Sequence, residues 1–126
     1  TMKKVINTNQ APAAIGPYSQ AILANGMLFV SGQLPVDPAT GVMAQNDIGA
    51  NTKQVMANIS AILKEAGMDF THVIKTTIFL ADMNDFGKVN EIYGSYFTSE
   101  PPARETVQVA RLPKDARIEI SVLAAL

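Results

Sequence analysis

The sequence predicts an α+β fold of about six strands and two helices in the order β-ββ-α-β-α-ββ. Three observations carry that expectation. Asn25-Gly26 separates two strand-like runs, and this dipeptide is a strong hairpin signal because both central residues of the turn need positive φ. Two later stretches repeat apolar residues at helical spacing. Runs of β-branched and alternating residues flank both.

Val5 and Ile6 suggest a short first strand, and Ala11 to Pro17, with two prolines and a glycine, reads as a structured loop. Tyr18 to Ala24 and Met27 to Gln33 form the hairpin. If Ala24 faces Met27, then Gln20 faces Ser31 and Tyr18 faces Gln33, so these four polar residues share one face. Gly32 leaves the backbone between them open to close approach. Pro35 to Gln45 is a loop, and Asn46 or Asp47 can cap the helix that follows. Its buried stripe is Ile48, Val55, Ile59, Ile62, Leu63 and Ala66, and Gly67 stops it. Val73 to Leu80 is a buried strand. Asp82, Asn84 and Asp85 supply caps for a second helix with the stripe Phe86, Val89, Tyr93 and Phe97, ended by Glu100-Pro101-Pro102. Ala103 to Ala110 and Ala116 to Ala124 close the chain as two strands joined through Leu112-Pro113-Lys114-Asp115.

The 126 residues suit one domain spanning 2–126, with Thr1 ahead of Met2 set aside as a processing remnant. A hydrophobic fraction of 48% is ample for a core. No apolar run approaches the roughly 20 residues of a membrane span. No secretory signal pattern is seen, and the absence of cysteine excludes a disulfide scaffold, a cysteine nucleophile and a zinc finger. Both fit the cytoplasm. The net charge is −1 and the seven lysines are scattered, so nucleic acid is not an expected partner. All three arginines, by contrast, fall between Arg104 and Arg117. Two helices cover only one face of a sheet, and the other face carries Ile22, Met27 and Phe29 among polar groups. Burial against identical copies is the simple remedy, which predicts an oligomer.

The strand after Pro102 alternates, with Arg104, Thr106 and Gln108 on one side. A hairpin pairing Arg111 with Ala116 would set Gln108 against Glu119 and Thr106 against Ser121, gathering all five on one polar face. Arginine offers a donor fork matched to a carboxylate. The Thr106 hydroxyl can hold a water, and partial burial of Glu119 between isoleucines would raise its pKa towards acid/base use. In that register Arg104 and Glu119 stand roughly 13 Å apart, too far for one small substrate unless a second subunit supplies one of them. Plainer readings stand beside these. Arg104 next to Glu105 can be a surface charge pair, Glu119 a solvated strand residue, Tyr18 a core aromatic, and Ser31-Gly32 a sheet bulge. Asn90, on the apolar stripe, either bonds a neighbouring loop or walls a pocket. His72, the sole histidine, reads as a surface residue, and with no cysteine a zinc site or a Ser-His-Asp triad is not expected.

Four segments resemble the RidA (YjgF-like) family: Ala11 to Gln20, Ser31-Gly32-Gln33, Asn84-Asp85-Phe86 with Val89-Asn90, and Pro102-Ala103-Arg104 with Val109 to Asp115. The resemblance spans essentially the whole chain. It implies a chorismate-mutase-like fold, a mixed sheet with two helices on one face, assembled as a homotrimer whose sheets form a central barrel with clefts between subunits. It also implies hydrolysis of 2-imino and 2-enamino acids, such as 2-aminoacrylate, to 2-keto acids and ammonia without cofactor or metal. In that likeness Arg104 grips the substrate carboxylate, Gly32 adds a backbone contact, Tyr18, Ser31 and Asn90 line the pocket, and Glu119 positions or activates water. Many members carry cysteine where this chain has Thr106. A keto-acid-binding regulator and a ribonuclease are the two alternative roles.

Overall fold

In the computed structural model, which describes residues 2–126, Asn25 and Gly26 take φ of 52° and 73°. These are the left-handed values that a two-residue hairpin demands. The turn joins β2 (Ala21–Ala24) to β3 (Met27–Gln33) with Ala24 opposite Met27, the expected register. β1 (Lys4–Ile6) pairs antiparallel with β2.

The strand expected from Tyr18 starts only at Ala21. The Gln20 carbonyl still accepts from Ser31 N at 2.9 Å. Its side chain, however, is buried and bonds the backbone of the preceding loop at Thr8 and Pro12. A buried amide must satisfy both ends, and here the loop does so. The chain before Gln20 is thereby drawn away, so Tyr18 does not pair with Gln33. Gln33 is buried as well, and the expected four-residue polar face reduces to Tyr18 and Ser31.

α1 (Ile48–Glu65) is capped by Asp47, whose carboxylate accepts from Gly49 N at 2.9 Å. Val55, Ile59, Ile62 and Leu63 are fully buried, while Ile48 and Ala66 at the ends are partly so. The buried face is wider than the apolar stripe and takes in Asn51, Thr52 and Asn58. Asn51 donates to Gln45 O, and Asn58 to Leu34 O and Val36 O. These amides strap the 35–45 loop to the helix. β4 (Val73–Leu80) matches its expected bounds. Asp82 caps a single 3₁₀ turn, Met83–Asp85, that leads into α2 (Phe86–Gly94). Phe97 lies beyond α2 but packs on Tyr93 with centroids 4.9 Å apart.

The last two strands, β5 (Ala103–Gln108) and β6 (Ile118–Ala125), do not form the expected hairpin. The sheet order is β1-β2-β3-β6-β4-β5, with β6 antiparallel to both neighbours and β5 parallel to β4. Burial explains the exchange. Ile118, Ile120, Val122 and Ala124 are all buried, so β6 belongs between two strands. β5 carries exposed Arg104, Glu105 and Gln108 and suits an edge. A parallel pair needs a crossover, which α2 supplies. The helices cover one face of this six-stranded mixed sheet. On the other face Phe29 and Val107 remain 47% and 42% exposed. Among the described residues no helix is long and apolar enough to cross a membrane.

Ile59→Ala, which empties a wholly buried site, should cost about 2–5 kcal/mol, and Asp47→Ala about 1 kcal/mol through loss of the cap. Urea unfolding midpoints of the two variants check both values.

Candidate active site

The geometry starts from the β4–β5 pairing. Arg104 lies opposite Thr76, Thr106 opposite Ile78 and Gln108 opposite Leu80. Thr76, Ile78 and Leu80 are buried on the helix side, so Arg104, Thr106 and Gln108 face α2. Arg104 Nη1 donates to Asn90 Oδ1 at 2.6 Å. Its Cζ lies 5.4 Å from the Phe86 ring centroid and 5.2 Å from that of Tyr93. Gln108 Oε1 accepts from Met83 N at 2.7 Å, fastening the far end of β5 to the entry of α2. Between them the Thr106 hydroxyl is buried and has no hydrogen-bond partner among the described residues. Glu105 pairs with Lys75 at 3.2 Å and not with Arg104.

The arginines differ in what they hold. Arg111 meets Asp115 at 2.6 Å, and Arg117 meets Asp85 at 2.9 Å. Among the described residues Arg104 has no carboxylate partner.

Glu119 lies elsewhere. It pairs with Phe79 across β6 and β4 and faces away from the helices, as Ser121 does opposite Thr77. The expected five-residue polar face is therefore split. In the sheet Gln108 shares its row with Leu80 and Ile118 rather than with Glu119. That one-residue difference turns Glu119 and Ser121 to the opposite face, because side chains alternate. Arg104 and Glu119 end three residues apart along the strands and two strands apart across them, about 10 Å in each direction, on opposite faces.

Glu119 gathers its own companions. A register shift between Val30 and Gln33 places Ser31 and Gly32 in a bulge of β3. A Cβ at Gly32 would collide with Glu119 Oε2, so glycine is what lets the carboxylate lie against the backbone here. Burial raises the Glu119 pKa from its ordinary value. Ser31 Oγ donates to Ser19 O at 2.6 Å, and Ser31 lines a shallow hollow with Tyr18, Ile22 and Phe29. Tyr18 is 55% exposed. A second hollow, between the 8–10 segment and α1, contains none of the expected site residues.

The seven expected residues thus form two groups in one chain: Arg104, Thr106 and Asn90 at the β5 edge, and Tyr18, Ser31, Gly32 and Glu119 on the open face. His72, expected as a plain surface residue, serves as a cap, its ring nitrogen accepting from Asp69 N at 3.0 Å in a capping box. Sequence reasoning missed the contacts of Phe86 and Tyr93 with Arg104. The signal was their spacing with Asn90, four residues before it and three after it along one helical stripe.

Comparison with known proteins agrees with this architecture. A family model described as Endoribonuclease L-PSP matches residues 8–126. The chain is 53% identical to protein DfrA of Myxococcus xanthus, over 97% of this chain and 95% of that protein. It is 53% identical to the 2-iminobutanoate/2-iminopropanoate deaminase of Rattus norvegicus, over 98% and 90%. The crystal structure of the Rid-family protein YyfA from Yersinia pestis superposes with a TM-score of 0.98 at 50% identity, covering 99% of this chain and 100% of that one. The sheet order, the two-helix layer and these matches together place the chain in the Endoribonuclease L-PSP family, the RidA (YjgF-like) group that its sequence resembles.

Proposed function

We propose that this chain hydrolyses 2-imino and 2-enamino acids to 2-keto acids and ammonia, with Arg104 as the anchor for the substrate carboxylate. The observation that carries the reading is the unclaimed guanidinium of Arg104, held by Asn90 and two rings yet without a carboxylate of its own. Relatives named 2-iminobutanoate/2-iminopropanoate deaminase at about half identity support it.

The anchor would fix C2 of the substrate relative to the protein, a proximity effect. Water then adds to the iminium carbon, forming the C–O bond as the C=N π pair moves to nitrogen. Glu119 accepts a proton from that water and returns one to nitrogen. The resulting carbinolamine passes its hydroxyl proton to Glu119 as the C=O bond forms and the C–N bond breaks, leaving keto acid and ammonia, and the ammonia carries that proton away as ammonium. Raising the pKa of a carboxylate makes it a better proton acceptor for such an exchange. The unpartnered Thr106 hydroxyl can hold a water or a substrate atom. The steps balance without cofactor or metal.

Arg104 and Glu119 of one chain cannot meet on one small molecule. The site is therefore read as shared between copies, with Arg104, Thr106 and Asn90 from one subunit and Tyr18, Ser31, Gly32 and Glu119 from another of a homotrimer. The half-exposed apolar residues of the open sheet face give such an assembly a surface to bury. The same anchor also fits a keto-acid sensor, for which calorimetry with pyruvate would report binding without turnover in the imine assay.

Arg104→Ala should lower deaminase kcat/KM by about 100-fold or more in a folded protein, since a charged hydrogen-bonded partner is lost. An assay coupled to a threonine dehydratase measures this, and unchanged keto-acid release from the variant would overturn the assignment. Glu119→Gln should lower kcat by about 10²–10⁴-fold in the same assay.

Glu119 also has a signature in stability. Its folded pKa is raised, so the folded chain keeps a proton that the unfolded chain releases near pH ~4.3. The favourable contribution is complete below that pH and fades as pH rises through the folded value. Glu119→Gln lacks this loss, so its stability relative to the parent should improve from pH 4 upward. Urea midpoints taken across the pH range would show the trend, and a gap that stays flat would contradict the buried carboxyl.

A further inference from the structure

We infer that Phe86 and Tyr93 are positioning residues for the anchor, forming with Asn90 a cradle on α2 that orients the Arg104 guanidinium before a carboxylate arrives. The inference rests on the reading of Arg104 as that anchor and adds how the chain holds it.

The three residues occupy one stripe of α2, and each touches the same group. Both ring centroids lie within the roughly 6 Å over which a cation is attracted to an aromatic face. Asn90 takes Nη1. The Tyr93 ring is itself immobilised. Its hydroxyl bonds Thr76 Oγ1 at 2.7 Å in a buried site, and Phe97 backs it, packed in turn on Phe70 at 5.5 Å. Thr76 is also the ladder partner of Arg104. One residue thus sets both the backbone of the anchor and the ring beside it.

Phe86 packs partly on the core and partly on the guanidinium. Val89 and Tyr93 are buried and would be apolar in any amphipathic helix of this fold. Phe86 is only partly buried, at the first residue of α2, and its ring lies beneath the cation. An arginine side chain has several rotatable bonds, and a carboxylate that binds a free one must freeze them. A cradle that holds the fork in place lowers that cost at the moment of binding. Its effect therefore falls on affinity rather than on the chemical step.

The experiment compares Phe86→Leu, Phe86→Tyr and Arg104→Ala in the whole chain. Pyruvate calorimetry gives Kd, and the dehydratase-coupled assay gives kcat and KM. Phe86→Leu should raise Kd and KM together by about five- to ten-fold with little change in kcat. Phe86→Tyr, which keeps the ring, should restore both. A merely structural Phe86 would lower the active fraction, and so kcat, leaving Kd and KM in place; that outcome overturns the cradle. Pyruvate bound as tightly by Arg104→Ala as by the parent would overturn the anchor itself. Loss of binding in Arg104→Ala with parental Kd in Phe86→Leu rejects the cradle alone. Should Phe86→Leu fail to fold, the parent decides. Its Arg104 Nε–H resonance should be ring-current shifted and slow to exchange, and a random-coil shift with fast exchange rejects the inference.

Discussion

The parallel pairing of β5 with β4 is the constraint from which the candidate site follows. A parallel neighbour cannot be reached by a tight turn, so the chain must cross over the sheet, and α2 is that crossing. The crossing lays the α2 stripe over the inward side chains of β5. Arg104 then finds Asn90, Phe86 and Tyr93, and Gln108 finds the backbone of Met83.

The same pairing makes β6 the hinge between two chemistries. One side of β6 is wholly buried under the helices. Its other side presents Glu119, settled over Gly32 in the β3 bulge and raised in pKa by burial. The anchor and the carboxylate are thus built on opposite faces by one sheet. Under the proposed deaminase reading, catalysis and assembly become a single requirement, because neither face alone holds a complete set of groups.

Three arginines lie within fourteen positions of one another, yet they do different work. Arg111 braces the 111–115 loop through Asp115, in a segment where Lys114 and Asp115 both take positive φ. Arg117 ties β6 to the start of α2 through Asp85, whose second oxygen is buried without a partner among the described residues. Among the described residues Arg104 meets an amide and two rings and no carboxylate. Ion pairing elsewhere and its absence here set this guanidinium apart far more clearly than its position in the sequence does.

Local rules read much of this protein from the residues. Asn25-Gly26 dictated the hairpin and the Ala24–Met27 register, Asp47 and Gly67 bounded α1, and β-branched residues marked β4 with its true ends. The motifs around Arg104 and Gly32 singled out the residues that the fold sorts into two groups and that are proposed as one shared site. These features depend on backbone dihedrals and on neighbours a few positions away, so sequence carries them directly. What long-range packing decided was which strand lies beside which. Alternation in β5 and β6 reports that each has two faces, but not their partners, and a change of partner with a one-residue slip in register sends Glu119 to the far side of the sheet. Competition for the buried centre, won by the apolar β6 over the charged β5, is a property of the whole core and is visible only once the chain has folded around it.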